Sequence, residues 1–72
     1  MEIRTRETLD GEIEVKVVDE KNSKRVMKKA LVKAFGKNDG EYYFEYGAIW
    51  NGANETSIVL NRKMAQDLQR AF

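Results

Sequence analysis

A chain of 72 residues with neither cysteine nor histidine has no disulfide and almost no metal chemistry with which to reinforce itself. A domain of this size hides only about 60% of the surface its unfolded chain exposes. Stability must therefore come from well-formed elements packed on a thin core, or from pairing with a second copy. Met1 to Leu9 alternates charged residues where a signal peptide carries an apolar run. The longest apolar stretch, Ser57 to Leu60, is far shorter than the roughly 20 residues of a membrane span. These features predict one cytoplasmic domain over residues 1–72, with no membrane association and no cofactor. Asn54-Glu55-Thr56 matches a glycosylation sequon, which without an export signal reads as a chance match.

Hydrophobic periodicity divides the chain into six elements. Ile3 to Leu9, a turn at Asp10-Gly11, and Ile13, Val15, Val17 and Val18 alternate at period two and predict a β-hairpin. A strict two-residue turn would set Ile3 opposite the Ile13, Val15 and Val17 face, whereas a bulged or longer connection brings Ile3, Thr5 and Glu7 onto it. The second arrangement is expected. Asp19, Asn22 and Ser23 are candidate caps for a helix over Lys21 to Lys37, in which Val26, Met27, Ala30, Leu31, Ala34 and Phe35 share one side. Gly36 is placed to end it, with Lys33 and Lys37 near its negative end, and Asn38-Asp39-Gly40 to turn the chain. Tyr42, Phe44, Tyr46, Ala48 and Trp50 share one parity and predict an aromatic strand over Glu41 to Trp50. A loop at Asn51-Gly52, three residues long so that faces match, leads into Thr56, Ile58 and Leu60. It aligns Tyr46 with Ile58 and Phe44 with Leu60. Capped by Asn61, a last helix carries Met64, Ala65, Leu68, Ala71 and Phe72.

The fold class expected is α+β in the order ββαββα, a four-stranded antiparallel sheet with two helices packed on one face. Arg25 to Phe35 and Arg62 to Phe72 lie 37 residues apart and share Arg, Met, Leu, Ala and Phe in eleven positions. That similarity suggests a duplicated ββα unit over 1–37 and 38–72, related by a pseudo-twofold. The hairpin turns are 41 residues apart, and the strands show no comparable identity.

A net charge of +1 conceals segregated blocks. Residues 1–20 carry three basic and seven acidic side chains, 21–38 seven basic and none acidic, 39–61 four acidic and none basic, and 62–72 three basic and one acidic. Any charged partner meets a dipolar surface.

The basic block is the leading functional candidate. At 100° per residue Lys24, Arg25, Lys28, Lys29 and Lys33 cover half of the first helix, interrupted only by Val32, with Lys37 beyond. Such a face can track the phosphates of DNA or RNA. The competing reading is a solvated face whose charge the acidic hairpins partly neutralise. Tyr42, Phe44, Tyr46 and Trp50 are expected inside, because the chain has few other large side chains to fill the space beneath the helices. That parity sends Tyr43, Glu45, Ile49 and Val59 to the far face of the sheet. Beside Val18, Glu12 and Glu14 they form a patch suited to a protein partner or a second copy.

Catalysis has little to draw on. There is no histidine, no thiolate and no Ser-His pair. Gly47-x-x-x-x-Gly52 lacks the Lys and Ser/Thr of a phosphate loop, and the Asp19-Glu20 and Asp39-Gly40-Glu41 turns lack calcium-loop spacing. The sequence therefore predicts a small non-enzymatic binding protein that takes nucleic acid on its basic helix. The alternative is a protein-interaction module, such as a phage-type inhibitor or adaptor of a host protein, using the basic helix or the exposed sheet face, with a homodimer as a further form.

Overall fold

The computed structural model describes residues 1–72 as β1 (Glu2–Glu7), β2 (Ile13–Val18), α1 (Ser23–Phe35), α2 (Lys37–Gly47), β3 (Ile49–Asn51), β4 (Glu55–Leu60) and α3 (Arg62–Ala71). The four strands form one antiparallel sheet in the order β1-β2-β4-β3. The α+β class and the four-stranded sheet are as the sequence predicts, with three helices in place of two. No helix is long and apolar enough to cross a membrane.

The first hairpin follows the expected register. Ile3 pairs with Val17, Thr5 with Val15 and Glu7 with Ile13, so the three odd-numbered β1 residues join the apolar face. The connection is a longer loop tied by Thr8, whose N–H donates to the Glu12 carbonyl at 2.8 Å and whose hydroxyl accepts the Glu12 N–H at 3.1 Å. β2 and β4 form the sheet centre, with Val15 opposite Ile58 and Ile13 opposite Leu60. The edges are guarded: β1 shows Glu2, Arg4 and Arg6 to solvent, and β3 is three residues long.

Val15, Val17, Ile58 and Leu60 from the sheet, Met27, Ala30 and Leu31 from α1, and Ala65 and Leu68 from α3 make the core. Of the residues shared by the two similar helix strings, all but the methionines have matching environments, Met27 being buried and Met64 half-buried. Leu31 and Leu68 are both fully buried, Arg25 and Arg62 are both exposed, and Phe35 and Phe72 are both half-buried. The second half nevertheless departs from a ββα repeat, because α2 occupies most of the segment expected as its first strand.

That segment, Glu41 to Trp50, requires correction. Its aromatic alternation fits a strand, yet residues 37–47 are helical and only Ile49–Asn51 pairs with β4. The same sequence carries a helical stripe, Gly40, Tyr43, Phe44 and Gly47, and tertiary packing selects it. A Cβ at Gly40 would stand 2.5 Å from the Cα of Val32, so this glycine lets the α2 backbone lie directly on α1. Tyr43 adds an edge-on contact to Phe35, with centroids 5.4 Å apart. Gly36, at φ 89°, is the only residue between the two helices. Its N–H closes α1 on the Val32 carbonyl and its carbonyl accepts the Gly40 N–H, so it ends one helix and begins the next. Asn38-Asp39-Gly40 is thus the first turn of α2, with Asp39 near its positive end. Tyr46 and Phe44 cannot pair with Ile58 and Leu60. The three-residue loop does occur, at Gly52-Ala53-Asn54, and sets Trp50 opposite Thr56.

Caps divide differently from expectation. Asn61 caps α3, its side chain accepting the Met64 N–H at 2.9 Å. Asn22 holds the cap position of α1 without a side-chain bond. Asp19 instead orders the preceding turn by accepting the Lys21 and Asn22 N–H groups, which hold its carboxyl below the usual carboxylate range. Ser23 is buried, and its hydroxyl reaches both the Ala53 carbonyl and the Thr56 hydroxyl at 2.8 Å. With the Ser23 proton given to Ala53, Thr56 is the donor to Ser23.

Two substitutions test this packing. Gly40→Ala gains about 1 kcal/mol in helix propensity but forces α1 and α2 apart, and overpacking of this kind costs about 1–3 kcal/mol or more. The expected outcome in a thermal melt is a lower Tm; an unchanged or higher Tm refutes the close approach. Ser23→Ala strands the buried Thr56 hydroxyl and should destabilise by about 1–3 kcal/mol, whereas the Ser23→Ala/Thr56→Val pair should recover most of that loss. Equal stabilities for the single and double variants in urea titrations would show that the two hydroxyls are not coupled.

Candidate nucleic-acid interface

Three neighbours enclose α1. The sheet and α3 cover its apolar side, and α2 lies over Leu31 and Val32. What remains open is the basic arc, on which Lys24, Arg25, Lys28, Lys29 and Lys33 are all exposed, as is Lys37 at the start of α2. Arg25, Lys28 and Lys29 line a shallow depression with Val32, and Lys21, Asn22 and Lys24 line another with Gly52 and Ala53 of the β3–β4 loop. The cationic surface therefore runs from that loop along the length of α1.

Ion pairing decides whether this charge is free. Every ion pair in the structure uses Arg4, Arg6, Lys16, Arg62, Lys63 or Arg70. Glu2 pairs with Arg4 at 2.9 Å, Glu14 with Arg6 at 3.4 Å, Glu55 with Lys16 at 3.4 Å and Glu7 with Arg62 at 2.6 Å. The Arg4 guanidinium beside Glu2 holds that carboxyl below its ordinary value. Glu2, Glu7, Glu14 and Glu55 are thus engaged with cations of the strands and of α3, and the block from Lys21 to Lys37 enters no ion pair.

Beside the cations stand aromatic rings that the alternation placed inside. Trp50 is 44% exposed, Tyr42 60% and Tyr46 76%. The Lys24 ammonium lies 4.6 Å from the centroid of the Trp50 ring, and that of Lys28 lies 5.8 Å from Phe44. The Phe44 and Trp50 rings are 5.5 Å apart and tilted by 33°. Trp50 reaches this place because β3 holds it on the helix-covered side at the open edge of the sheet, next to the first turn of α1. Phe44 reaches it because Gly40, one helical turn earlier, draws α2 down. The rings were not legible as site residues: their alternation fits a buried strand, and only the Gly40 to Gly47 spacing signals a helix.

The expected protein-facing patch is not assembled. Ile49 and Val59 do lie together on the uncovered face of the sheet, both exposed, beside the Lys16–Glu55 pair. Tyr43 is instead half-buried against Phe35, and Glu45 is exposed on α2. A strand over this segment would place both on that face; the helix removes them from it. No protein-family model matches the chain, and no curated protein or solved structure matches it.

Trp50 is the only tryptophan and reports directly on this geometry. Lys24→Gln removes a cation held over an exposed ring and should cost about 0.5–1 kcal/mol of stability. Urea titration followed by Trp50 emission measures the loss, and a variant as stable as the parent with an identical spectrum would show that the contact does not persist in solution.

Proposed function

We propose that this domain is a non-catalytic nucleic-acid-binding protein whose contact surface is the basic arc of α1. The observation that carries the reading is the sorting of charge: cations from Lys21 to Lys37 have no carboxylate partner, while Glu2, Glu7, Glu14 and Glu55 pair with cations elsewhere. Surplus cations on a rigid helix act on phosphates as positional charges, and Arg25 adds the fork that engages two phosphate oxygens at once. From Lys24 to Lys33 the helix rises about 14 Å, the axial rise of about four phosphates of one duplex strand at about 3.4 Å each. Contacts of this kind read the backbone, so affinity varies little with sequence and falls with salt.

A second reading draws on α2. The exposed Tyr42 and Tyr46 rings, 5.0 Å apart, share the helix with exposed Glu41 and Glu45. Tyrosines amid carboxylates suit a protein surface and repel phosphate. An inhibitor or adaptor working through that ridge would bind no nucleic acid.

Fluorescence anisotropy with labelled oligonucleotides at about 50 and 200 mM salt separates the two. The expected result is binding whose logarithm falls linearly with log salt, by about 0.7 to 0.9 for each phosphate neutralised. Lys28→Glu/Lys29→Glu should abolish binding at the higher salt and flatten the slope, with stability lowered by no more than about 1 kcal/mol from loss of the Lys28–Phe44 contact. Absence of binding at the lower salt removes this reading and leaves the protein partner.

A further inference from the structure

We infer that the nucleic acid is single-stranded, and that Trp50 and Phe44 each stack one base while Lys24 and Lys28 hold the adjoining phosphates. The inference rests on the reading of α1 as a phosphate-contacting surface and adds what that surface selects.

Tryptophan and phenylalanine are ordinarily covered by apolar neighbours. Here part of the cover over each ring is an ammonium group on a flexible stem, Lys24 over Trp50 and Lys28 over Phe44. Such a cover is easily lost. An ammonium group is compact, strongly hydrated and mobile, and a phosphate offers it a charge-assisted bond stronger than its attraction to a ring. When a phosphate draws the lysine away, the vacated face can take the base attached to that phosphate. One nucleotide thus satisfies both members of a lysine–aromatic pair.

The structure holds two such pairs side by side. Lys24 and Lys28 are one helical turn apart on α1, and the two rings are 5.5 Å apart, so successive nucleotides address successive pairs. A base inserted between the rings would need about 7 Å, twice the stacking interval of about 3.4 Å, so the rings form a shelf and not a clamp. Bases of a duplex are stacked on one another and cannot lie on such a shelf, whereas those of a single strand can.

The test compares three labelled probes of about 12 nucleotides at low salt: oligo-dT, an abasic strand of equal length with the same phosphates, and a duplex. Oligo-dT should bind about tenfold or more tighter than the abasic strand and tighter than the duplex, and should quench Trp50 emission. Trp50→Ala should lose about 5- to 100-fold in oligo-dT affinity and little in abasic affinity, with Trp50→Phe restoring much of the loss. Equal affinity for oligo-dT and the abasic strand with unchanged Trp50 emission overturns the stacking inference and leaves phosphate binding by α1 intact. Absence of binding to all three probes overturns both. The probe comparison and the emission readout use the unmodified protein, so a misfolded Trp50 variant cannot obscure the answer.

Discussion

The α2 backbone lies closer to α1 than any side chain would permit, and the placement of everything beyond the core follows from that approach. A Cβ at position 40 would stand 2.5 Å from the Cα of Val32, so only glycine allows the helices to meet there without movement. With Gly40 seated, Phe44 falls one turn later onto the flank of α1 beside Lys28, and the chain leaves α2 at Gly47 close to Ile58. The strand that follows is consequently short and delivers Trp50 to the sheet edge. Backbone contact at one residue thereby fixes the position of two rings and the extent of β3.

Charge is sorted by a similar economy of neighbours. β1, β2 and β4 lie side by side and carry residues of both signs, so Glu14 and Glu55 find cations across strands. Glu7, at the end of β1, meets Arg62 at the start of α3. Facing α1 across its seam are Gly40, Phe44 and Trp50, none of which carries a charge. Lys24 and Lys28 therefore rest on aromatic faces, and Arg25, Lys29 and Lys33 face water. Such pairs contribute little individually at an exposed surface, but their distribution decides where the molecule is electropositive.

How much of this could be read from the residues depends on whether one period explains a segment or two do. Ile13, Val15 and Val17 admit only period two, and Met27, Ala30, Leu31 and Ala34 only a helix, so the first hairpin, its register, α1 and α3 were legible. Between Glu41 and Trp50 both periods fit. Tyr42, Phe44 and Tyr46 read as a strand, and Gly40, Tyr43, Phe44 and Gly47 as a helical stripe whose glycines record a contact with a partner that the local sequence does not reveal. The candidate site divides along the same line. Its cations lie on an unambiguous helix, whereas the aromatic alternation places both rings inside: Phe44 is half-buried against the core and Trp50 is exposed, because their cover depends on where α2 sits.

The single residue between α1 and α2 bears on how the chain finds this arrangement. Gly36 joins helices of 13 and 11 residues with no intervening loop, so the two form a hairpin whose contacts are local in sequence. Central pairing of β2 with β4 requires the ends of the segment 19–54 to meet, which they do where the Asp19 N–H reaches the Asn54 carbonyl at 2.8 Å. Closing a flexible chain of that length carries a large entropic penalty. A helical hairpin that folds back on itself in the middle of the segment brings those ends near each other beforehand. The pairing of β2 with β4 stays distant in sequence, but the flexible length that must close to reach it is shortened, which lowers the loop-closure penalty that slows non-local pairing.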